Sequence, residues 1–186
     1  MTGALYLAFL AVLVAGYGAK DARLMRSVAA SSRGSGARSA MIVFGVSCAV
    51  AAAIMAYGGA FIGAMLSASA KPMFVALALL LAGAELVWPI GTEPRDPPPS
   101  PAGLFILLLA RQIGDGPRLL VLATAAATQA PVLAAIGGAL GGAASGVAFL
   151  ALQDMNKDRT RAWRLTLGLA TIASAVWMGL AARGLI

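Results

Sequence analysis

The chain contains no histidine, and cysteine occurs only once, as Cys48. Histidine is the commonest general base and the commonest transition-metal ligand, so its absence removes the usual means of both kinds of chemistry. A single cysteine excludes an intramolecular disulfide and a cysteine-based metal site. There is also no Ser/Lys pair of recognisable spacing and no cofactor fingerprint. We therefore expect neither an enzyme nor a bound cofactor.

Charged residues are scarce as well. They make up 11% of the 186 residues, whereas 60% are hydrophobic and the mean hydropathy is +0.87. A soluble domain is nearer to one-quarter charged, so the composition predicts an all-α integral membrane protein surrounded by the lipid bilayer. The net charge of +7 does not indicate nucleic-acid binding, because no basic face is interleaved with aromatic residues.

Apolar segments separated by polar or proline-rich stretches predict six transmembrane helices. No positively charged region precedes the first of them, so we expect a retained helix rather than a signal peptide. Loops are expected at 31–39 and 153–161, and a stiff proline-rich linker is expected at 91–101. The six predicted spans are 4–28, 40–66, 73–88, 102–129, 132–152 and 162–182.

The fourth span is interrupted by the segment 111–118, which reads RQIGDGPR. Charges within a span usually face a protein interior or a wet cavity, and the proline and glycines weaken the helix. One interpretation is a broken helix at a transporter binding site. The other is a kinked helix in which Arg111 and Arg118 neutralise Asp115 across one helical face. The segment by itself is compatible with both.

The two halves of the chain show a similar order of features, which predicts an internal repeat. In each half, the first long helix is interrupted by a glycine motif, GYGAKD at 16–21 and QIGDGP at 112–117. Because each half has three spans, an odd number, the second half must enter the membrane in the opposite sense. Residues 1–90 and 102–186 would then form a 3+3 inverted repeat.

Glycines at four-residue spacing predict close helix packing in the second and fifth spans. The second span carries Gly59 and Gly63. The fifth has small residues at 137, 141 and 145 and again at 138, 142 and 146.

The basic residues indicate the orientation. Most of them fall on one side of the predicted topology, which the positive-inside rule assigns to the cytoplasm. Both termini are then expected on the non-cytoplasmic side of an inner (plasma) membrane of the bacterial type, with the proline-rich linker in the cytoplasm. The residues on the basic side are Arg26, Arg33, Arg38, Arg95, Lys157, Arg159, Arg161 and Arg164.

Six spans, a three-plus-three repeat and glycine motifs inside helices one and four resemble a family of small divalent-cation transporters in the LysE superfamily. Its best-known members are the Golgi manganese/calcium–proton antiporters. The family signature, Glu-x-Gly-Asp-Lys/Arg-Ser/Thr, occurs once in each half. The second copy here keeps Gly114 and Asp115, and the first keeps Gly18 and Lys20. The architectural likeness covers nearly the whole chain.

The chain departs from that signature at the acidic positions. The two glutamates are replaced by Gly16 and Gln112 and one aspartate by Ala19, while Asp21 stands where the hydroxyl residue would be. The resemblance implies a divalent-cation site, because manganese and calcium prefer hard oxygen ligands. The expected substrate-binding residues are Asp115, Gln112, Glu85, Asp21, Gly114, Gly18 and Lys20.

Within that set we predict distinct roles. Asp115 would be the principal metal ligand, Glu85 a second metal ligand that carries the exchanged proton, and Gln112 a neutral ligand. Asp21 has a structural alternative as an internal ion pair. Glu85 has no basic residue within a helical turn, so it must pair with another helix, be protonated or line water.

Three functions follow from these residues. The first is a secondary transporter that exchanges a small divalent cation for protons. The second is an exporter of a different small solute, organic or anionic, because arginines outnumber carboxylates around the second motif. The third is a degenerate relative that no longer transports and acts as a membrane partner. A homo-oligomer is compatible with all three.

Overall fold

The computed structural model describes residues 2–31, 35–88, 100–151 and 157–184. These residues form eight α-helices and no strand, which confirms the all-α prediction. The predicted linker at 91–101 lies outside the described residues except for its last two positions. The helices are α1 (Gly3–Gly16), α2 (Lys20–Ser31), α3 (Ser35–Met65), α4 (Ala70–Val87), α5 (Pro101–Gln112), α6 (Gly116–Thr128), α7 (Pro131–Ala151) and α8 (Lys157–Ala182).

Four of these helices, α3, α4, α7 and α8, are long and apolar enough to cross a membrane. Helices α1 and α5 are apolar but shorter. The outer surface of the bundle is also apolar, with large side chains such as Leu7, Phe61, Ile106 and Trp177 well exposed. Exposed apolar surface on this scale is typical of contact with lipid rather than water. The chain is therefore a membrane-embedded helical protein.

The first and fourth predicted spans are each divided into two helices. The first consists of α1 and α2, separated by residues 17–19, and the fourth of α5 and α6, separated by residues 113–115. Asp115 caps α6, because its side chain accepts a hydrogen bond from the N–H of Gly116. Pro117 follows in the first turn, where a helix tolerates proline. The structure thus shows a broken helix at segment 111–118 rather than a continuous, kinked one.

Two predicted loops are partly helical. α3 begins at Ser35 and α8 at Lys157, several residues before the apolar spans. Polarity indicates where a segment leaves the membrane, but lysine and arginine are good helix formers. Each helix therefore begins before its apolar span, and the predicted loops at 31–39 and 153–161 were too long.

The glycine stripe on α7 faces protein, as predicted. A side chain at Gly137 would contact the backbone of α1 at Leu5, and one at Gly141 would place its Cβ 2.6 Å from the carbonyl oxygen of Phe9. The neighbouring stripe faces α6 and α3, where a side chain at Gly138 would meet Val121. α7 is therefore packed against the backbone of α1 and against side chains of α3 and α6.

Two further close contacts join other helices. The predicted pair on α3, Gly59 and Gly63, lies against the backbone of α6. A contact that the sequence did not indicate joins α4 to α8. A Cβ at Gly83 would lie 2.8 Å from the carbonyl oxygen of Gly168, and a Cβ at Gly168 would lie 2.9 Å from that of Gly83. α4 and α8 thus approach each other reciprocally, and α4 also packs on α6.

Candidate functional site

The same backbone turn forms both helix breaks. α1 ends at Gly16, and the N–H of Ala19 donates to its carbonyl oxygen at 3.1 Å. α5 ends at Gln112, and the N–H of Asp115 donates to its carbonyl oxygen at 3.2 Å. The two glycine motifs therefore take the same hydrogen-bonded turn at matching positions.

The glycine two residues beyond each helix end makes this turn feasible. Gly18 has a φ of +72° and Gly114 a φ of +87°. L side chains rarely adopt that left-handed region, and glycine does so freely. These two predicted site residues shape the backbone. Because glycine has no side chain, neither residue offers a side-chain ligand to a solute.

The two broken segments approach each other around a small cavity. Ala19 and Asp21 line it from the first segment, Asp115 and Arg118 from the second, and Ser145 from α7. Its volume is about 10 Å³, near the lower limit for one water molecule. The two segments thus meet at a cavity with a polar lining inside an apolar bundle.

Asp115 and Glu85 converge on one backbone N–H. The N–H of Gly116 lies 3.1 Å from Oδ1 of Asp115 and 3.2 Å from Oε2 of Glu85. Residue 116 has to be glycine for this approach, because a Cβ there would lie 2.9 Å from Oε2 of Glu85 and 3.0 Å from the carbonyl oxygen of Ala82. The positive N-terminal end of α6 favours the two acidic groups.

Glu85 is paired with basic groups on two other helices. The Nζ atom of Lys20 lies 2.8 Å from Oε1, and an Nη2 atom of Arg164 lies 3.4 Å from Oε2. Arg164 also reaches the backbone carbonyl oxygen of Glu85 at 3.5 Å. Of the three alternatives for Glu85, pairing with another helix is the one observed.

Gln112 and Asp21 form a second polar group that joins the two broken segments, Gln112 at the end of α5 and Asp21 on α2. Nε2 of Gln112 donates to Oδ2 of Asp21 at 3.2 Å and to Oγ of Ser47 at 3.2 Å, and it also contacts Sγ of Cys48 at 3.6 Å. Asp21 accepts the N–H of Ala22 at 2.9 Å. Within the described ranges Asp21 has no ion pair. The predicted internal ion pair is therefore wrong, and the partner of Asp21 is the side-chain amide of Gln112.

The arginines of the second motif do not neutralise Asp115. Among the described residues, the ion pairs are those of Glu85. Arg118 is 2% exposed and donates Nη1 to the carbonyl oxygen of Gly138 at 3.3 Å. The break places Arg111 on α5 and Arg118 on α6, so there is no continuous helical face on which they could meet Asp115.

Several buried polar atoms have no hydrogen-bond partner in the described part of the chain. The donors are Nη1 of Arg111, Nε of Arg118 and Nη1 of Arg164. The acceptors are Oε1 of Gln112 and Oε1 of Glu85, of which the second still forms the ion pair with Lys20. Buried polar groups are costly when unpaired, so these atoms favour occupancy of the site by water, ions or a solute.

The charges of the cluster balance when all groups are ionised. The three basic side chains are Lys20, Arg118 and Arg164, and the three acidic ones are Asp21, Glu85 and Asp115. Among the described residues, no three His, Cys, Asp or Glu side chains lie close enough together to hold a metal ion. Asp115 and Glu85 therefore form at most a two-carboxylate site that needs other oxygen ligands.

Sequence reasoning missed Arg164, Ser47 and Ser145 as members of the cluster. Arg164 was counted only among the basic residues that indicate the orientation, yet it is 3% exposed and binds Glu85. Its position two residues inside the sixth span was a signal, because a charge inside a span usually faces the protein interior. The two serines gave no signal, since a single serine in a membrane helix is common in packing.

Comparisons of this chain with models of protein families, with curated proteins and with solved structures found no match.

Proposed function

We propose that this chain is a secondary transporter that exchanges a small divalent cation, of the manganese or calcium type, for protons across an inner (plasma) membrane. The observation that carries the proposal is the convergence of Asp115 and Glu85 on the N–H of Gly116. Two carboxylates inside an apolar bundle, at a helix break, match the pattern of ion sites in transporters.

The roles of the two carboxylates follow from their partners. Glu85 has two basic neighbours, whereas Asp115 has none within 4.0 Å among the described residues. A buried carboxylate without a basic partner needs either a cation or a proton. We therefore assign both cation binding and proton exchange to Asp115. The proton role that was predicted for Glu85 is moved to Asp115, because Glu85 is paired with Lys20 and Arg164, and Glu85 keeps the second ligand position. The unpaired Oε1 of Gln112 would supply a neutral ligand.

The proposed topology has six spans arranged as a 3+3 inverted repeat, with both termini outside the cytoplasm. It is supported by the matching turns at the two breaks, the reciprocal contact of Gly83 with Gly168, and helix contacts that pair across the halves. α1 and α2 pack on α7 as α5 and α6 pack on α3. A reporter enzyme fused after Ile186 tests the orientation. A reporter that is active only after export from the cytoplasm should be active at this position. Activity of a reporter that works only in the cytoplasm would contradict the arrangement.

Transport in reconstituted vesicles tests the function. Purified protein in liposomes with an imposed proton gradient should take up Mn²⁺ or Ca²⁺, and Asp115→Asn should abolish uptake while leaving folding intact. Asp96→Asn, in the proline-rich segment of the sequence, is the matched control and should transport normally. If Asp115→Asn misfolds and any surviving protein transports normally, the aspartate has a structural role and the cation proposal fails.

A second candidate is export of a small anionic or zwitterionic solute. It is favoured by the unpaired guanidinium donors of Arg118 and Arg164, because guanidinium groups bind carboxylates and phosphates well. Counterflow of small organic acids and amino acids in the same liposomes, without metal ions, separates the two candidates. Absence of every transport activity would favour the degenerate, non-transporting relative.

A further inference from the structure

We propose that Lys20 is a tethered competitor of the transported cation. Its ammonium group occupies the position beside Glu85, and an inorganic cation must displace it in order to bind there. This inference rests on the proposed function. It adds which group occupies the site before the cation binds and which cations can displace that group.

The first observation is the geometry of the pair. Nζ of Lys20 lies 2.8 Å from Oε1 of Glu85 in a close ion pair, and Oε1 has no hydrogen-bond partner in the described part of the chain. Oε2 of the same carboxylate faces the N–H of Gly116 beside Asp115. The ammonium group thus takes up one oxygen of the two-carboxylate pair, and an incoming cation needs that oxygen.

The second observation is the difference between the two basic partners. The side chain of Lys20 is 34% exposed, whereas that of Arg164 is 4% exposed. Arg164 is further held by the backbone carbonyl oxygen of Glu85. Lys20 can therefore swing towards solvent on its flexible four-carbon stem, while Arg164 stays in place.

The third observation is the position of Lys20 on its helix. It is the first residue of α2, where the positive end of the helix dipole disfavours a cation. The ion pair with Glu85 offsets this unfavourable placement, and Lys20 is the more exposed member of that pair. Lys20 is consequently the exchangeable partner of Glu85.

The competition also predicts selectivity. Lysine carries one positive charge, so Na⁺ or K⁺ gains no electrostatic advantage when it replaces the ammonium group. A divalent ion interacts twice as strongly with the same carboxylate and can also recruit Asp115. The tether therefore favours divalent over monovalent cations.

Binding of Mn²⁺ and of Ca²⁺ to the full-length protein in detergent tests the proposal. If Lys20 leaves the site free one-tenth of the time, it weakens the apparent affinity about tenfold. Lys20→Met should thus lower the apparent Kd about tenfold, and Lys20→Arg should leave it near the wild-type value. Lys71→Met is the control for the lost charge, because Lys71 lies 14 residues before Glu85 on α4, or roughly 21 Å along the helix. It should bind like the wild type.

Amine labelling provides a readout that does not depend on a variant. Acylation of Lys20, measured by mass spectrometry, should increase several-fold when Mn²⁺ is added, with Lys71 as the internal reference. Binding by the wild type together with an unchanged Kd in Lys20→Met and unchanged labelling would overturn the tethered-competitor role and leave the proposed function intact. Absence of binding by both the wild type and Lys20→Met would overturn the proposed function and this inference with it. Binding by Lys20→Met alone would support the inference.

Discussion

Replacing Gly141 with alanine tests the packing of α7 directly. The new Cβ would lie 2.6 Å from the carbonyl oxygen of Phe9 and 3.1 Å from the backbone nitrogen of Leu13. Both atoms are backbone, so they cannot rotate away as a side chain would. To reach the 3.4 Å of an ordinary contact, α1 must move by 0.8 Å from α7, the difference between 3.4 and 2.6 Å.

The cost of that movement can be bounded. A gap of about 0.5–1 Å loses a quarter to a half of the dispersion energy of each contact, and overpacking of this kind costs about 1–3 kcal/mol. The exchange of glycine for alanine also returns up to about 1 kcal/mol through helix propensity. The net effect of Gly141→Ala alone is therefore a small loss of stability.

A matched variant removes the propensity contribution. Gly58 is also inside a long helix, α3, and a Cβ there would meet nothing within 4 Å. Gly58→Ala should gain the same propensity without any steric cost. The free energy of unfolding of Gly141→Ala should thus be lower than that of Gly58→Ala by about 1–3 kcal/mol.

Thermal unfolding in detergent measures this difference. At about 2–4 °C per kcal/mol for a chain of this size, the apparent Tm of Gly141→Ala should be roughly 2–12 °C below that of Gly58→Ala. Equal melting temperatures would refute the reasoning, because they would mean that α7 does not touch the backbone of α1 at this point.

Three further predictions concern the site and its turns. Gly142→Leu should lower the apparent Tm in detergent, because a Cβ there would lie 2.6 Å from Nη2 of Arg118 and would displace this buried group; unchanged melting would mean that the stripe faces lipid. Glu85→Gln should destabilise the protein by about 3 kcal/mol in a denaturant titration, since it leaves the buried Arg164 without its carboxylate; a variant as stable as the wild type would contradict the ion pair. Gly114→Ala should lower the free energy of unfolding by about 1–2 kcal/mol in the same titration, because alanine is strained at a φ of +87°. A Cβ there meets nothing within 4 Å, so a clearly larger loss would contradict the described geometry of the turn.

The helix breaks could be predicted from the sequence because their causes are local. Proline at 117 and the glycines around Asp115 weaken a helix wherever it packs, and the structure separates α5 from α6 at that point. The match between the motifs at 16–21 and 112–117 likewise predicted two equivalent turns, because a turn depends on the few residues that form it. The glycine stripe of α7 could be assigned to protein contact for the same reason, since four-residue spacing fixes a helical face.

The partners of the charged groups could not be predicted in this way. Gln112 and Asp21 are 91 residues apart in the chain, and Lys20 and Glu85 are 65 apart. Sequence spacing assigned Arg111 and Arg118 to Asp115 through a continuous helix, and the break removed that face. Arg164, near the start of the sixth predicted span, was used only to indicate the orientation, although α8 brings it to Glu85.

Composition and local patterning by themselves determined that this protein is a helical membrane protein with two polar breaks, because hydropathy and helix propensity act along the chain. The tertiary structure decided which charges meet. Glycines at helix contacts, such as Gly83 and Gly168, set how closely α4 and α8 approach, and that approach brings Arg164 to Glu85. Electrostatic pairing depends on distances between helices, and no property of a single segment specifies those distances.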